Sequence, residues 1–233
     1  METDTAVAQN YMDTVRTLGQ EYGLTLNDLR GKLAKHKTSM TYLGSLLSAD
    51  RRVGAELSRR IGAAQKAFNE LARVWKHDDV SRSRKLKVYY ACVISRLMYC
   101  LHTAWLNEAE KTRLDAFHCR CLRRIYGVKD AYYSRVSAVS ILAMAGTEPL
   151  RATLLNHQLQ LYGDIARKPD GDPIREAVLT TSTVRPRQHE GHRRVGRARH
   201  QWNNEVFREA LRVAGNTTVL SEMLADSDAA RNR

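Results

Sequence analysis

The sequence predicts a mainly α protein, a multi-helix bundle carrying one small β-hairpin. Apolar residues recur at steps of three and four along most of its 233 residues. Candidate N-caps and glycine stops punctuate those runs. Only two short stretches, LTLN and TYLGSLL, are β-prone and bounded by Asn, Gly and Ser. A hydrophobic share of 43% is enough for a real core in one large or two small domains.

In chain order, Val7, Tyr11, Val15, Leu18 and Tyr22 form the stripe of a first amphipathic helix, with Gly23 as its stop. LTLN and TYLGSLL follow as strand fragments, the second turning at Gly44-Ser45. Next, Leu57, Ile61, Ala64, Phe68, Leu71 and Trp75 hold one face for nearly six turns, with Arg59, Arg60, Lys66 and Arg73 mainly elsewhere. Ser81 is the candidate cap of a second long helix, striped by Leu86, Tyr90, Val93, Leu97, Cys100 and Ala104. A third helix runs from Asn107 to Gly127, and two more cover about 134–145 and 148–167, the first closed by Gly146. PDGDP at 169–173 is a turn cluster, and VRPRQHEGHRRVGRAR at 184–199 reads as a basic linker or arm. Trp202, Val206, Ala210 and Val213 then resume helical spacing.

Charge narrows the function. Lys and Arg number 38 against 25 acidic residues, a net +13, which favours a polyanionic partner, nucleic acid first. Residues 51–125 hold 17 basic and 7 acidic side chains, so the contact surface is expected in the middle of the chain. The alternative is that these cations only solvate outer faces. Arg82, Arg84, Lys85 and Lys87 crowd the first turns of the second long helix. Cations there oppose the helix dipole, and a bound phosphate would relieve the conflict. No stretch approaches 18 apolar residues and METDTAVAQN is no secretory signal, so no membrane partner is expected and the location is read as intracellular, nuclear or cytoplasmic. Cys92, Cys100, Cys119 and Cys121 read as reduced thiols.

The order GLTLN, GKL, KTSMTYLGSLLSADRR, AELSRRIGAAQKAFNELARVW, SRSRKLKVYYACVISRLMYCLHTAW and RLDAFHCRCLRRIYGV resembles the reverse transcriptases of non-long-terminal-repeat (LINE-type) retrotransposons, over roughly residues 5 to 210. The tail segments QLYGDIARKPDGDP and RRVGRARHQW are similar to the region beyond the thumb in those elements. The resemblance implies that GLTLN and Lys32 are the end of the palm, motif D, and that Tyr42, Leu43, Gly44 and Ser45 belong to the primer grip, motif E. The helices after it would be a thumb-like bundle, and the hairpin a residue of the palm. The implied layout is residual palm at 1–50, thumb at 51–167, basic linker at 168–200 and a helical extension at 201–233. A thumb slides along any sequence, so it should meet phosphates rather than base edges. An RNA–DNA hybrid is close to A-form, whose deep major groove excludes side chains.

The expected phosphate partners are Arg59, Arg60, Arg73, Arg82, Arg84, Lys85 and Lys87, joined by Arg193, Arg194 and Arg197 of the basic arm. Two-metal nucleotidyl transfer needs carboxylates holding ions about 4 Å apart. The motif A aspartate and the Tyr-x-Asp-Asp hairpin of motif C that supply them in this family are missing from the sequence, which the resemblance places just after motif C. No cofactor is therefore expected in this chain, Mg2+ belonging only to a complete polymerase, and no polymerisation by the chain alone. A separate polypeptide with fingers and palm is left open as a partner. The segment between Asn27 and Tyr42 is shorter than the family's, as if part of the palm were deleted, which leaves Lys32 without an active site to serve. Two other readings stand beside this one, a helical protein-interaction module and a relic of a longer element. Asp78-Asp79 reads as an interhelical turn rather than a metal site. His118, Cys119 and Cys121 do not make a zinc set, because residues 119 and 121 point about 200° apart on a helix. Cys92, Cys100, Trp75 and Trp105 read as packing residues.

Overall fold

In a computed structural model of the chain, the described residues are 39–48, 53–188 and 200–231, with side chains to 225. The expected helix at 7–22, the LTLN strand, Lys32, Arg193, Arg194 and Arg197 lie outside them. The described residues fall within one compact unit, Thr38–Arg233. The fold is mainly α, with one two-stranded antiparallel hairpin. No helix among the described residues is long and apolar enough to cross a membrane.

Strand β1 (Ser39–Tyr42) pairs with β2 (Ser45–Ser48), Met40 opposite Leu47 and Tyr42 opposite Ser45. The turn therefore sits at Leu43-Gly44, one residue earlier than the expected Gly44-Ser45. Its φ values are 45° and 76°, as a two-residue hairpin turn requires, and Gly44 takes its share without strain.

The first basic helix is interrupted. Helix α1 (Gly54–Glu70) ends at Leu71, and α2 (Ala72–Lys76) restarts at once. Leu57, Ala64, Phe68 and Trp75 are buried as the spacing predicts, whereas Ile61 and Leu71 are only half-buried. At the break the Trp75 indole donates to the Phe68 carbonyl at 2.7 Å, a group that the interruption would leave short of a helical donor. Phe68 and Trp75 stack, with centroids 5.0 Å apart.

The second long helix begins where Ser81 predicts, its side chain accepting from the Arg84 N–H. Its seam is not the predicted one. Lys85, Tyr89, Val93 and Leu97 are buried, while Leu86 and Tyr90 are half-buried. Each four-residue step on an α-helix overshoots a full turn by about 40°. A wide π turn at Tyr90–Ile94, between α3 (Arg82–Tyr89) and α4 (Ser95–Met98), absorbs that drift and keeps all four residues facing inward. The helix stops at Tyr99, and Cys100 turns left-handed at φ 60°, short of the predicted end at Ala104.

Helix α5 (Glu108–Tyr126) is the central rod. Asn107 and Glu110 form a reciprocal capping box, and Gly127 closes the helix at φ 69°. Asn107→Ala is expected to cost about 1 kcal/mol, seen as a lower urea midpoint with unchanged slope. Phe117, His118, Cys119, Cys121, Leu122 and Ile125 are all buried, so the rod's later turns are enclosed nearly all round. All four cysteines are free thiols.

Short α6 (Ala131–Ser134), α7 (Ala138–Ala145, closed by Gly146) and α8 (Leu150–Ala166) follow. Asp115 on α5 holds Arg151 on α8 in an ion pair. Residues 168–188, expected to link, are built into the body instead. Asp172 caps α9 (Pro173–Val178), and buried Arg175 donates to Asp170 and to the Ala166 and Thr183 carbonyls. Helices α10 (Trp202–Ala214) and α11 (Thr217–Arg231) complete a second core of Tyr162, Ile165, Leu179, Val206, Ala210 and Leu220. Val213, expected on that stripe, is 69% exposed.

Candidate nucleic-acid interface

Opposite ends of the bundle treat their cations differently. At the hairpin end, Glu56 in the first turn of α1 is buried and accepts from the Leu46 backbone N–H at 3.1 Å. It also accepts from Arg59 at 2.7 Å and Arg60 at 2.6 Å. Both arginines reach on to the Gly44 carbonyl at the hairpin turn. The Tyr99 hydroxyl donates to the Leu43 carbonyl at 3.1 Å, and Arg60 lies over the Tyr99 ring at 4.5 Å. Burial alone would raise the Glu56 carboxyl, but the hydrogen bonds from Arg59, Arg60 and Leu46 and the Arg60 charge outweigh it and hold its pKa below the ordinary value.

This arrangement corrects part of the expected contact set. Arg60 is buried and neutralised by Glu56, four residues earlier, and Arg59 is tied to the same carboxylate. Together they clamp the hairpin to the helices. Lys85 is also turned inward, because the π turn places it on the seam, and its ammonium donates to the Trp75 carbonyl at 2.9 Å. Of the expected primer-grip residues, Tyr42 is 58% exposed and shares a sheet face with Met40 and Leu47, while Leu43 and Gly44 are held at the clamp.

The other end gathers the last turn of α1, α2, the start of α3 and the last turns of α5. Arg73, Lys76, Arg82, Arg84 and Lys87 are exposed there, and α5 adds Arg120 and Arg124, one turn apart. No carboxylate pairs with any of these seven among the described residues. Glu70, Asp78 and Asp79 are exposed at the same end, Asp79 lying 3.7 Å from His77 in the turn between α2 and α3. Aromatic rings lie among the cations. Arg82 stacks over Tyr126 at 5.4 Å, and Arg124 lies over Phe68 at 5.8 Å. Asn69, Ala72, Lys76 and Arg124 rim a shallow hollow floored by Phe68 and Trp75.

Arg120, Arg124, Lys76 and Tyr126 extend the expected set. The sequence signal for the two arginines was their place at the C-terminal end of α5, where the helix dipole alone accounts for them. Only the packing of α5 against α2 and α3 brings its last turns to the helices that carry Arg73, Lys76 and Arg82. No group of three or more His, Cys, Asp or Glu among the described residues is placed to hold a metal ion. Compared with family models, curated proteins and solved structures, the chain matches none.

Proposed function

We propose that the chain binds nucleic-acid duplex without regard to sequence, through the cationic end formed by Arg73, Lys76, Arg82, Arg84, Lys87, Arg120 and Arg124. The role is that of the thumb in the reverse transcriptases its sequence resembles, on behalf of catalytic carboxylates and Mg2+ carried elsewhere. One observation carries the reading: seven exposed cations, on α5 and on the α2 and α3 that pack against it, have no carboxylate paired to them among the described residues. Unpaired cations at that density repel one another, and phosphates relieve the repulsion while releasing counterions. Arg193, Arg194 and Arg197 enter the same reading from the sequence alone.

The test is affinity for RNA–DNA hybrids of two unrelated sequences as a function of salt. Both hybrids are expected to bind equally, with log K falling by about 0.9 per phosphate contact for each decade of salt. Replacing Arg82, Arg84 and Lys87 together by Ala should flatten that slope by about 2 to 3 and weaken binding at least about tenfold at 0.1 M salt. Lys85→Met should leave the slope unchanged. A flat slope in the native chain, or a triple variant that binds like it, overturns the proposal.

A further inference from the structure

Beside the cationic end lies an open groove of about 820 Å³ between α3, the end of α5 and the turn after α7. Tyr90, Tyr126 and Leu86 give it apolar and aromatic walls, and the Ser83 and Thr147 side chains and Lys87 line it too. Both tyrosines are half-buried, so their rings are held by packing yet reachable. Tyr90 packs edge-on to Tyr89, with centroids 5.6 Å apart, which fixes it from behind. Lys87 is exposed and unpaired, and Arg82 lies over the Tyr126 ring at the groove's edge. No carboxylate among the described residues lines the groove.

Flat aromatic walls, the exposed Ser83 hydroxyl and two cations without a carboxylate partner suit a ligand that is planar, hydrogen-bonding and anionic at once. A peptide or a lipid tail would use the walls but not the cations, and a bare phosphate the cations but not the walls. We infer that the groove receives one unpaired nucleotide at the end of a bound duplex, its base against Tyr90 and Tyr126 and its phosphate with Lys87 and Arg82. This rests on the duplex-binding reading and adds to it a preference for frayed or overhanging ends. Stacking on aromatic side chains is tolerant of base identity, so the preference should be for an end and not for a sequence.

The test compares a blunt duplex with the same duplex carrying one unpaired terminal 2-aminopurine. The overhang is expected to tighten binding on the order of tenfold, within the range for one stacked base, and to quench the 2-aminopurine fluorescence. Tyr90→Leu, at a half-buried groove ring outside the set of phosphate partners, should abolish gain and quench while leaving blunt-duplex affinity near its native value. Millimolar adenosine monophosphate should restore the fluorescence without releasing the duplex if the groove itself holds the nucleotide. Equal binding of both duplexes without quenching overturns the groove inference and leaves the phosphate reading standing. Failure of both duplexes to bind overturns the two together.

Discussion

Acidification from pH 7 towards pH 4 is expected to remove on the order of 3 kcal/mol of stability through one side chain, His118. The ring has no solvent exposure and stacks on Tyr89 at an interplanar angle of 12°. Its Nδ1 lies 2.9 Å from the Tyr89 hydroxyl, and Nε2 has no hydrogen-bond partner. Burial pushes the imidazolium pKa down to about 4, against a weaker upward pull from the Asp115 charge. The folded protein therefore refuses a proton that the unfolded chain accepts below about pH 6.5. Stability is full above pH 6.5, falls as pH drops below it, and is lost by about pH 4. His102, lowered by burial and by His157, adds to the same trend. His118→Phe separates the two. It should lose about 1 kcal/mol at pH 7, since Tyr89 loses its ring partner, yet be much flatter between pH 6.5 and 4 in chemical denaturation. A variant as acid-sensitive as the native protein would refute the assignment.

Glu56→Gln is expected to cost about 2–3 kcal/mol, somewhat below the cost of breaking a fully buried pair because Arg59 is 39% exposed. The variant leaves Arg59 and Arg60 crowded at the Gly44 carbonyl without their counter-charge and weakens the acceptor for the Leu46 N–H. Faster hydrogen exchange at the Leu46 amide is the local signature, and undiminished protection there would contradict the clamp. Because the native carboxyl titrates below its ordinary value, its contribution is complete above about pH 4.5 and disappears as pH falls through the lowered folded value. The gap between native and variant should therefore narrow in acid.

Local chemistry was legible where it decides structure by itself. Ser81, Asn107 with Glu110, Gly127 and Gly146 mark helix ends in the sequence and do so in the fold. Leu57, Ala64, Phe68 and Trp75 read as core and are core. What escaped the sequence depends on tertiary placement. The seam of α3 runs through Lys85 and Tyr89 because of one wide turn that no residue pattern announces. Arg59 and Arg60 look like free cations until Glu56 is seen to satisfy them, although its spacing of three and four was available as a signal. Arg120 and Arg124 enter the cationic set only because α5 packs against α2 and α3.

The indole of Trp202 donates to the His102 carbonyl at 2.8 Å, across a hundred residues of sequence, and α10 covers Tyr162 and Ile165 on α8. Trimming the protein at residue 167 or 200 would thus strip the outer wall from α8 and wet a run of oily side chains. Any shortened version made for crystallography or spectroscopy would need that wall replaced, or it would clump through the surface left bare.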